Sequence, residues 1–359
     1  MRSSLISAVV SAAVLVTGAL SSCGCADAAL SAALKDGISI VSYNVMTLFD
    51  AKDDGAEYDD FSVARGLWDE ARYKARLELT ADAVFAAYPG SSPPGPDILC
   101  LIEAEGPSVL EDLRTGALAR GRYRYSASAD KEEGPFANSV LSRFPITRIA
   151  GHSATLGGVR AGRDILEVEL DVGGSSLFLF VCHWKSKVGG ALETEEARRE
   201  AAALLRSRID SILAADPSAD LIACGDFNEN PDEFARVGRA YPTALVGLED
   251  AEASPGGLLV ASDIALARAD GGLVLFSPWE EGGGYSYSYK GVRERIDGFL
   301  LGPGLREADG GGLSFKRFSV ADAPFLVDRD GNPIPWSGSR RSGYSDHLPI
   351  LLELASSGG

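Results

Sequence analysis

Residues 221–231, Leu-Ile-Ala-Cys-Gly-Asp-Phe-Asn-Glu-Asn-Pro, set four apolar residues directly ahead of a carboxylate and an amide. The apolar run reads as a buried strand, which Gly225 ends. Asp226 and Asn228 follow two apart, and in extended backbone that spacing puts both side chains on one face, just past the strand's end. Pro231 then suits the first turn of a helix, with Asn230 as its cap. A carboxylate and an amide at a strand mouth suit a hard cation, a phosphate or an attacking water. The plainer alternative is a turn that favours Asp and Asn for its own sake.

The same design recurs along the chain. An apolar strand from Ile38 ends on Asn44, one from Asp97 delivers Glu103, and one from Leu177 delivers His183. Asp297 stands at the start of a strand running to Leu301, and Asp346 and His347 open the last strand, Leu348 to Leu354. Further strands are expected at 123–127, 139–142 and 165–170, and at 258–266 and 273–276 around a Gly-rich hairpin. Helical spacing of Tyr73, Leu77, Thr80, Val84 and Tyr88, and again of apolar residues between Thr194 and Ala214, marks two amphipathic helices. Residues 302–336 read as loop. Strands far outnumber helices, and both helices precede strands, which points to packed sheets with helices outside. With 359 residues, 45% of them hydrophobic, and no shift in composition, residues 37–356 form one α/β domain.

The N-terminus carries a targeting signal. Arg2 precedes an apolar run from Leu5 to Leu20, placed like a signal peptide and short for a membrane span. Residues 1–22 therefore read as a signal peptide and 23–36 as a small-residue tether. Leu20-Ser21-Ser22-Cys23 resembles the bacterial lipobox, which makes Cys23 the expected lipid anchor; Ala26-Asp27-Ala28 offers ordinary secretion as the rival. The protein is expected to be exported in either case. Cys100, Cys182 and Cys224 each sit in an apolar run as buried thiols, and nothing has zinc-finger spacing. The net charge of −17 excludes binding polyanions through the overall field, so phosphates must be met by local lysines and divalent cations.

Asn44, Glu103, His183, Asp226, Asn228, Asp297, Asp346 and His347 all stand at strand ends, which a layered fold gathers on one rim. Singly, each has a structural reading, as a turn residue, a solvated charge or a core histidine. Together, with two of the three histidines among them, they define a cleft. The ordered motifs are Ser42-Tyr43-Asn44-Val45, Leu101-Ile102-Glu103, Leu141-Ser142-Arg143-Phe144-Pro145, His183-Trp184-Lys185-Ser186-Lys187, Gly225-Asp226-Phe227-Asn228, Arg295-Ile296-Asp297 and Ser345-Asp346-His347-Leu348-Pro349. In that order they resemble the endonuclease/exonuclease/phosphatase superfamily, the fold of pancreatic-type deoxyribonuclease, over nearly all of the mature chain. The resemblance implies a four-layered sandwich of two mainly antiparallel sheets with helices outside, and a Mg²⁺-dependent phosphoesterase, with Mn²⁺ or Ca²⁺ as substitutes. One departure is Ile102, where the family carries Gln before its metal-binding Glu. Glu105, two residues on, is a competitor for that role.

Matched to those positions, Asn44, Glu103 and Asp346 are expected to hold the metal through oxygen. Asp226 and Asn228 orient water and phosphate. His347 acts as base or transition-state donor with its tautomer set by Asp297, and His183 bonds the phosphate or protonates the leaving oxygen. The acidic partner of His183 falls at Asp130, Glu132 or Glu133. Lys185 and Lys187 form a phosphate clamp, and Tyr285, Tyr287 and Tyr289 stack on bases or pack across strands. The expected activity is cleavage of DNA, with RNA second, by a lipid-anchored or secreted monomer without a protein partner. The rival enzyme is a phospholipid or sphingomyelin phosphodiesterase, for which no exposed aromatic hairpin is evident. A catalytically silent surface binding protein on the same fold is the third reading.

Overall fold

A computed structural model describes residues 37–129, 134–269, 272–306 and 312–356. The signal segment, the tether with Cys23, and Asp130, Glu132 and Glu133 lie outside the described residues. The apolar runs assemble into two large sheets. The six-stranded one runs, in spatial order, Leu313–Val320, Ile350–Ser356, Ile38–Leu48, Ile98–Ala104, Ala137–Ser142 and Tyr125–Ser128. The eight-stranded one runs Leu245–Gly247, Leu258–Ala261, Leu275–Phe276, Asp297–Leu301, Asp220–Asp226, Ser175–His183, Ile165–Val172 and Ile146–His152.

Alternation along these strands sends successive side chains into different layers. Ile40, Ile98 and Val140 of the first sheet share a core with Val168, Leu179, Ile222 and Phe299 of the second. Val41, Leu99 and Leu101 turn the other way, onto Tyr73 and Val84 of helix Glu70–Ala87 and Leu110 of helix Pro107–Thr115. Phe180, Leu221 and Ala223 likewise turn onto Leu205 and Ile209 of helix Glu195–Ala215. Three cores between four layers give a helix, sheet, sheet, helix sandwich. Central strands are covered on both faces, which is why they read as unbroken apolar runs.

Local details differ from the sequence expectation. The strand does not end at Gly225 but runs through Asp226. Gly225 has φ +129°, and a Cβ there would sit 2.0 Å from the Cys182 carbonyl oxygen, so glycine lets the two strands close up. Asn230 is not a helix cap: helix Glu233–Arg236 begins later, and the Asn230 side-chain oxygen instead accepts the Arg295 N–H at 2.8 Å. The region after Leu258 is no hairpin. Strands Leu258–Ala261 and Leu275–Phe276 are parallel neighbours joined through helix Ile264–Ala269. Residues 302–336 include an eight-residue edge strand, Leu313–Val320. Its mixed apolar and charged pattern hid it, because only part of it faces a core.

Candidate active site

Strand register builds one wall of the site. Asp226 pairs with His183 on the parallel neighbour and with Asp297 on the antiparallel neighbour, so three polar side chains form a row across the second sheet. All three are buried. The opposing sheet supplies Asn44 and Glu103, and the Asn44 amide nitrogen crosses the gap to Asp226 Oδ2 at 3.1 Å. Residues 182 positions apart thereby meet at the strand ends.

The first sheet bends to make this meeting. Asn44 pairs with Ile102 and Leu48 with Ala104, so strand Ile38–Leu48 bulges opposite Glu103. Met46 and Thr47 take φ +52° and +55° and Glu103 takes +65°, a left-handed conformation costing on the order of 1–3 kcal/mol for such residues. The turn at Glu103 breaks the two-residue alternation. Glu103 therefore accepts the Thr47 N–H at 2.9 Å, while Glu105 turns to the Asp50 N–H at 2.7 Å. Glu105 is not on the same face as Glu103, and it belongs to the neighbouring acidic loop.

His347 donates or shares its Nδ1 proton with Asp297 Oδ2 at 2.8 Å and lies against the Tyr287 ring, centroids 4.6 Å apart. Burial works against its charge, but Asp297, Asp346 and Asp226 outweigh it and hold the imidazole well above its usual pKa. With Nδ1 held by Asp297, Nε2 points to Asp226 Oδ2 at 3.9 Å and Asp346 Oδ1 at 4.0 Å. Asp226 is pushed up to about 7, first by burial and then by Asp297. Its Oδ1 accepts the Asn228 N–H at 2.9 Å. The Asn228 amide donates to the Trp184 carbonyl at 3.2 Å, which ties the two motif loops together.

His183 behaves in the opposite sense. Burial, then Arg163 and His347, drive its pKa well below normal. Arg163 donates to Nε2 at 3.2 Å, which leaves the proton on Nδ1, a buried atom without a hydrogen-bond partner. Of the two roles read from sequence, bonding the phosphate or protonating the leaving oxygen, a neutral ring that accepts from Arg163 at Nε2 suits the first better.

Two further expectations change. Asn44 accepts the Met46 N–H on its amide oxygen at 3.0 Å and turns its nitrogen toward Glu103 and Asp226, so that it orients carboxylates and has one lone pair of the oxygen already engaged. Lys187 is no free clamp. It is paired with Glu233 at 2.7 Å and Glu294 at 3.4 Å, and those charges hold its pKa up despite burial. Lys185, by contrast, is exposed. Arg163, with Tyr58 beside it, brings a guanidinium to His183 at the cleft. Neither residue sits in a motif; Arg163 follows a Gly-rich turn, and only proximity in space marks it.

Tyr287 to Glu294 forms a two-stranded hairpin beside His347, with Tyr289 and Val292 paired across it and exposed at 56% and 60%. An exposed aromatic hairpin, not evident from sequence, is therefore present. Its alternating Tyr and Ser gave a strand pattern without showing which face stays uncovered.

Glu103, Asp226, Asp297 and Asp346 place four carboxylates around two histidines. Asp226, Asp297 and His347 also offer ligand atoms within 4.8 Å of one another. Asp297 is engaged with the imidazole, so Glu103, Asp226 and the more open Asp346 are the oxygens left to a cation. This oxygen-rich donor set, with more carboxylates than cations around it, fits a hard divalent ion.

The model of the Endonuclease/Exonuclease/phosphatase family matches residues 39–240, which include Asn44, Glu103, His183, Asp226 and Asn228 but not Asp297 or His347. The crystal structure of truncated Caenorhabditis elegans TDP2 superposes with a TM-score of 0.52 at 15% identity, covering 89% of this chain and 98% of that one. The human Nocturnin catalytic domain with bound sulfate gives 0.51 at 17%, covering 90% and 96%. At these identities the likeness is one of fold. A tRNA modification GTPase MnmE of Parvibaculum lavamentivorans is 29% identical over 161 residues, 43% of this chain and 35% of that protein. The chain thus spans about a third of the curated relative it matches, and it contains no Gly-Lys pair from which a P-loop could be built.

Proposed function

The chain belongs to the endonuclease/exonuclease/phosphatase family, and on that premise we propose that it is an exported, Mg²⁺-dependent phosphodiesterase that cuts nucleic acid, DNA before RNA. The observation that carries the reading is the row of Asp226 and the Asp297–His347 pair facing Glu103 across the two sheets. Such a row sets a proton acceptor and a proton donor side by side, 3.9 Å apart, at the mouth of one cleft.

Asp226, with one oxygen held by the Asn228 N–H and the other by the Asn44 amide, takes the proton of the attacking water. His347, kept protonated by Asp297, presents Nε2–H to the phosphoryl oxygens as their negative charge grows. Arg163 and Lys185 hold the phosphate, and His183 fixes the Arg163 fork by accepting from it. A divalent ion at Glu103 and Asp346 would neutralise the phosphate and stabilise the leaving oxygen.

The substrate assignment is tested by incubating the purified chain with plasmid DNA, RNA and sphingomyelin, each with Mg²⁺ and with EDTA. DNA cleavage that EDTA abolishes is the expected result. Lys185→Ala should raise KM for DNA and flatten its salt dependence, since each lost phosphate contact lowers the counterion slope. Lys187→Ala should lower Tm and leave that slope alone. One observation favours a second reading: the exposed Tyr289 and Val292 beside the cleft suit a lipid surface. Hydrolysis of sphingomyelin in place of DNA would establish it.

Export with a lipid anchor rests on the resemblance of Leu20-Ser21-Ser22-Cys23 to the bacterial lipobox. Among the described residues no helix is long and apolar enough to cross a membrane. Cys23→Ser should move the protein from the detergent phase to the aqueous phase; unchanged partitioning would leave ordinary secretion.

A further inference from the structure

We propose that Arg76, on a helix that contributes no side chain to the cleft, is the positioning residue that holds the two halves of the metal side in register. Its guanidinium ties the bulge after Asn44 to the segment that opens on Ser345, Asp346 and His347. This inference rests on the metal-dependent reading of the site.

Arg76 is 0% exposed, in helix Glu70–Ala87. Nη2 donates to the Val45 carbonyl and to the Met46 carbonyl at 2.9 Å, while Nη1 donates to the Tyr344 carbonyl at 2.5 Å. The first two acceptors belong to the bulge whose Met46 and Thr47 N–H groups bond Asn44 Oδ1 and Glu103 Oε2. The third precedes Ser345, whose hydroxyl donates to the Asn44 carbonyl at 2.7 Å and accepts the His347 N–H at 3.1 Å. One planar group therefore spans chain segments 268 residues from itself and 30 from itself, and both end at the cleft.

The residue type is informative because the site is costly for it. Burial pushes the guanidinium down to about 10, with Tyr43, Asp346 and Glu103 pulling it back up, and Nε has no acceptor. A well-packed apolar side chain there would serve stability at least as well. What an apolar residue lacks is the fork that fixes left-handed Met46 and Thr47 against Tyr344. Lysine keeps the charge but cannot bridge both segments.

The test measures Mn²⁺ binding by calorimetry together with the metal-free Tm for wild type, Arg76→Met, Arg76→Lys and Arg143→Met. Arg143 is the control. It is a comparable fork to the Pro93, Pro94, Gly95 and Gly121 carbonyls and Asp97, remote from the cleft. Both Arg76 variants should weaken Mn²⁺ by about 10–100-fold, the usual effect of removing a group that orients ligands. Arg143→Met should lower Tm with Mn²⁺ affinity unchanged. If Arg76→Met does not fold, Arg76→Lys decides. Arg76 variants that bind Mn²⁺ like wild type, whatever their Tm, overturn the proposal and leave the metal site standing. A wild type that binds no Mn²⁺ overturns the metal reading itself, and the proposal with it.

Discussion

His347→Ala should lower turnover on the preferred phosphodiester by on the order of 10²–10⁴, the range for a positioned acid–base group. Asp297→Asn should cost a comparable factor although its side chain touches no substrate. The Asp297 carboxylate is 2.8 Å from His347 Nδ1 and holds the imidazole protonated with Nε2 toward the cleft. An amide in its place removes the charge that keeps the ring cationic and leaves a group that can turn its NH₂ to Nδ1, which would impose the wrong tautomer. The double variant should be little worse than either single one, because residues acting as a unit are not additive. Asp297 also bonds through its backbone, N–H to Ser286 Oγ and carbonyl to Trp279 Nε1, and both contacts survive the substitution. Losses that multiply, in variants with wild-type circular dichroism, would show that the two residues act separately.

Glu103→Gln should abolish most activity at ordinary Mg²⁺ while the fold persists. Glutamine still accepts the Thr47 N–H through its oxygen, so the bulge keeps its anchor. What disappears is the charge that a divalent ion requires. Excess Mg²⁺ should recover part of the rate, and calorimetry should show weaker binding. Glu105→Gln is the internal comparison: its carboxylate serves the Asp50 N–H, so stability should fall before catalysis does. An inactive Glu105→Gln beside an active Glu103→Gln would move the metal to the acidic loop where Asp54 and Glu57 approach Glu105.

These two experiments address residues of differing legibility. Glu103 is readable as the polar end of a buried strand, as are Asn44, His183 and Asp226, and Asp297 as the polar start of one. A polar side chain closing an apolar run needs no knowledge of neighbours to be noticed. Their chemical roles were less readable. From sequence Asn44 is one more oxygen donor; only the bulge shows that Met46 N–H meets that oxygen and that the nitrogen faces Glu103 and Asp226. Lys187 looked like half of a phosphate clamp until Glu233 and Glu294, 46 and 107 positions away along the chain, were found against it.

The sequence by itself determined the layering, because strand and helix periodicities and uninterrupted apolar runs depend on local geometry and burial alone. It also determined which polar residues reach the sheet rim, since a strand's end is written in its own residues. Tertiary structure alone decided which of them touch, which way each amide turns and which charges are neutralised. Those outcomes depend on register between strands far apart in the chain, as when Asp226 falls level with both His183 and Asp297. They depend equally on strained turns at Met46, Thr47 and Glu103, whose left-handed backbone no residue there advertises. Arg76 is the clearest case. In sequence it is one more polar position on an amphipathic helix, and only the approach of two distant loops gives its guanidinium something to hold.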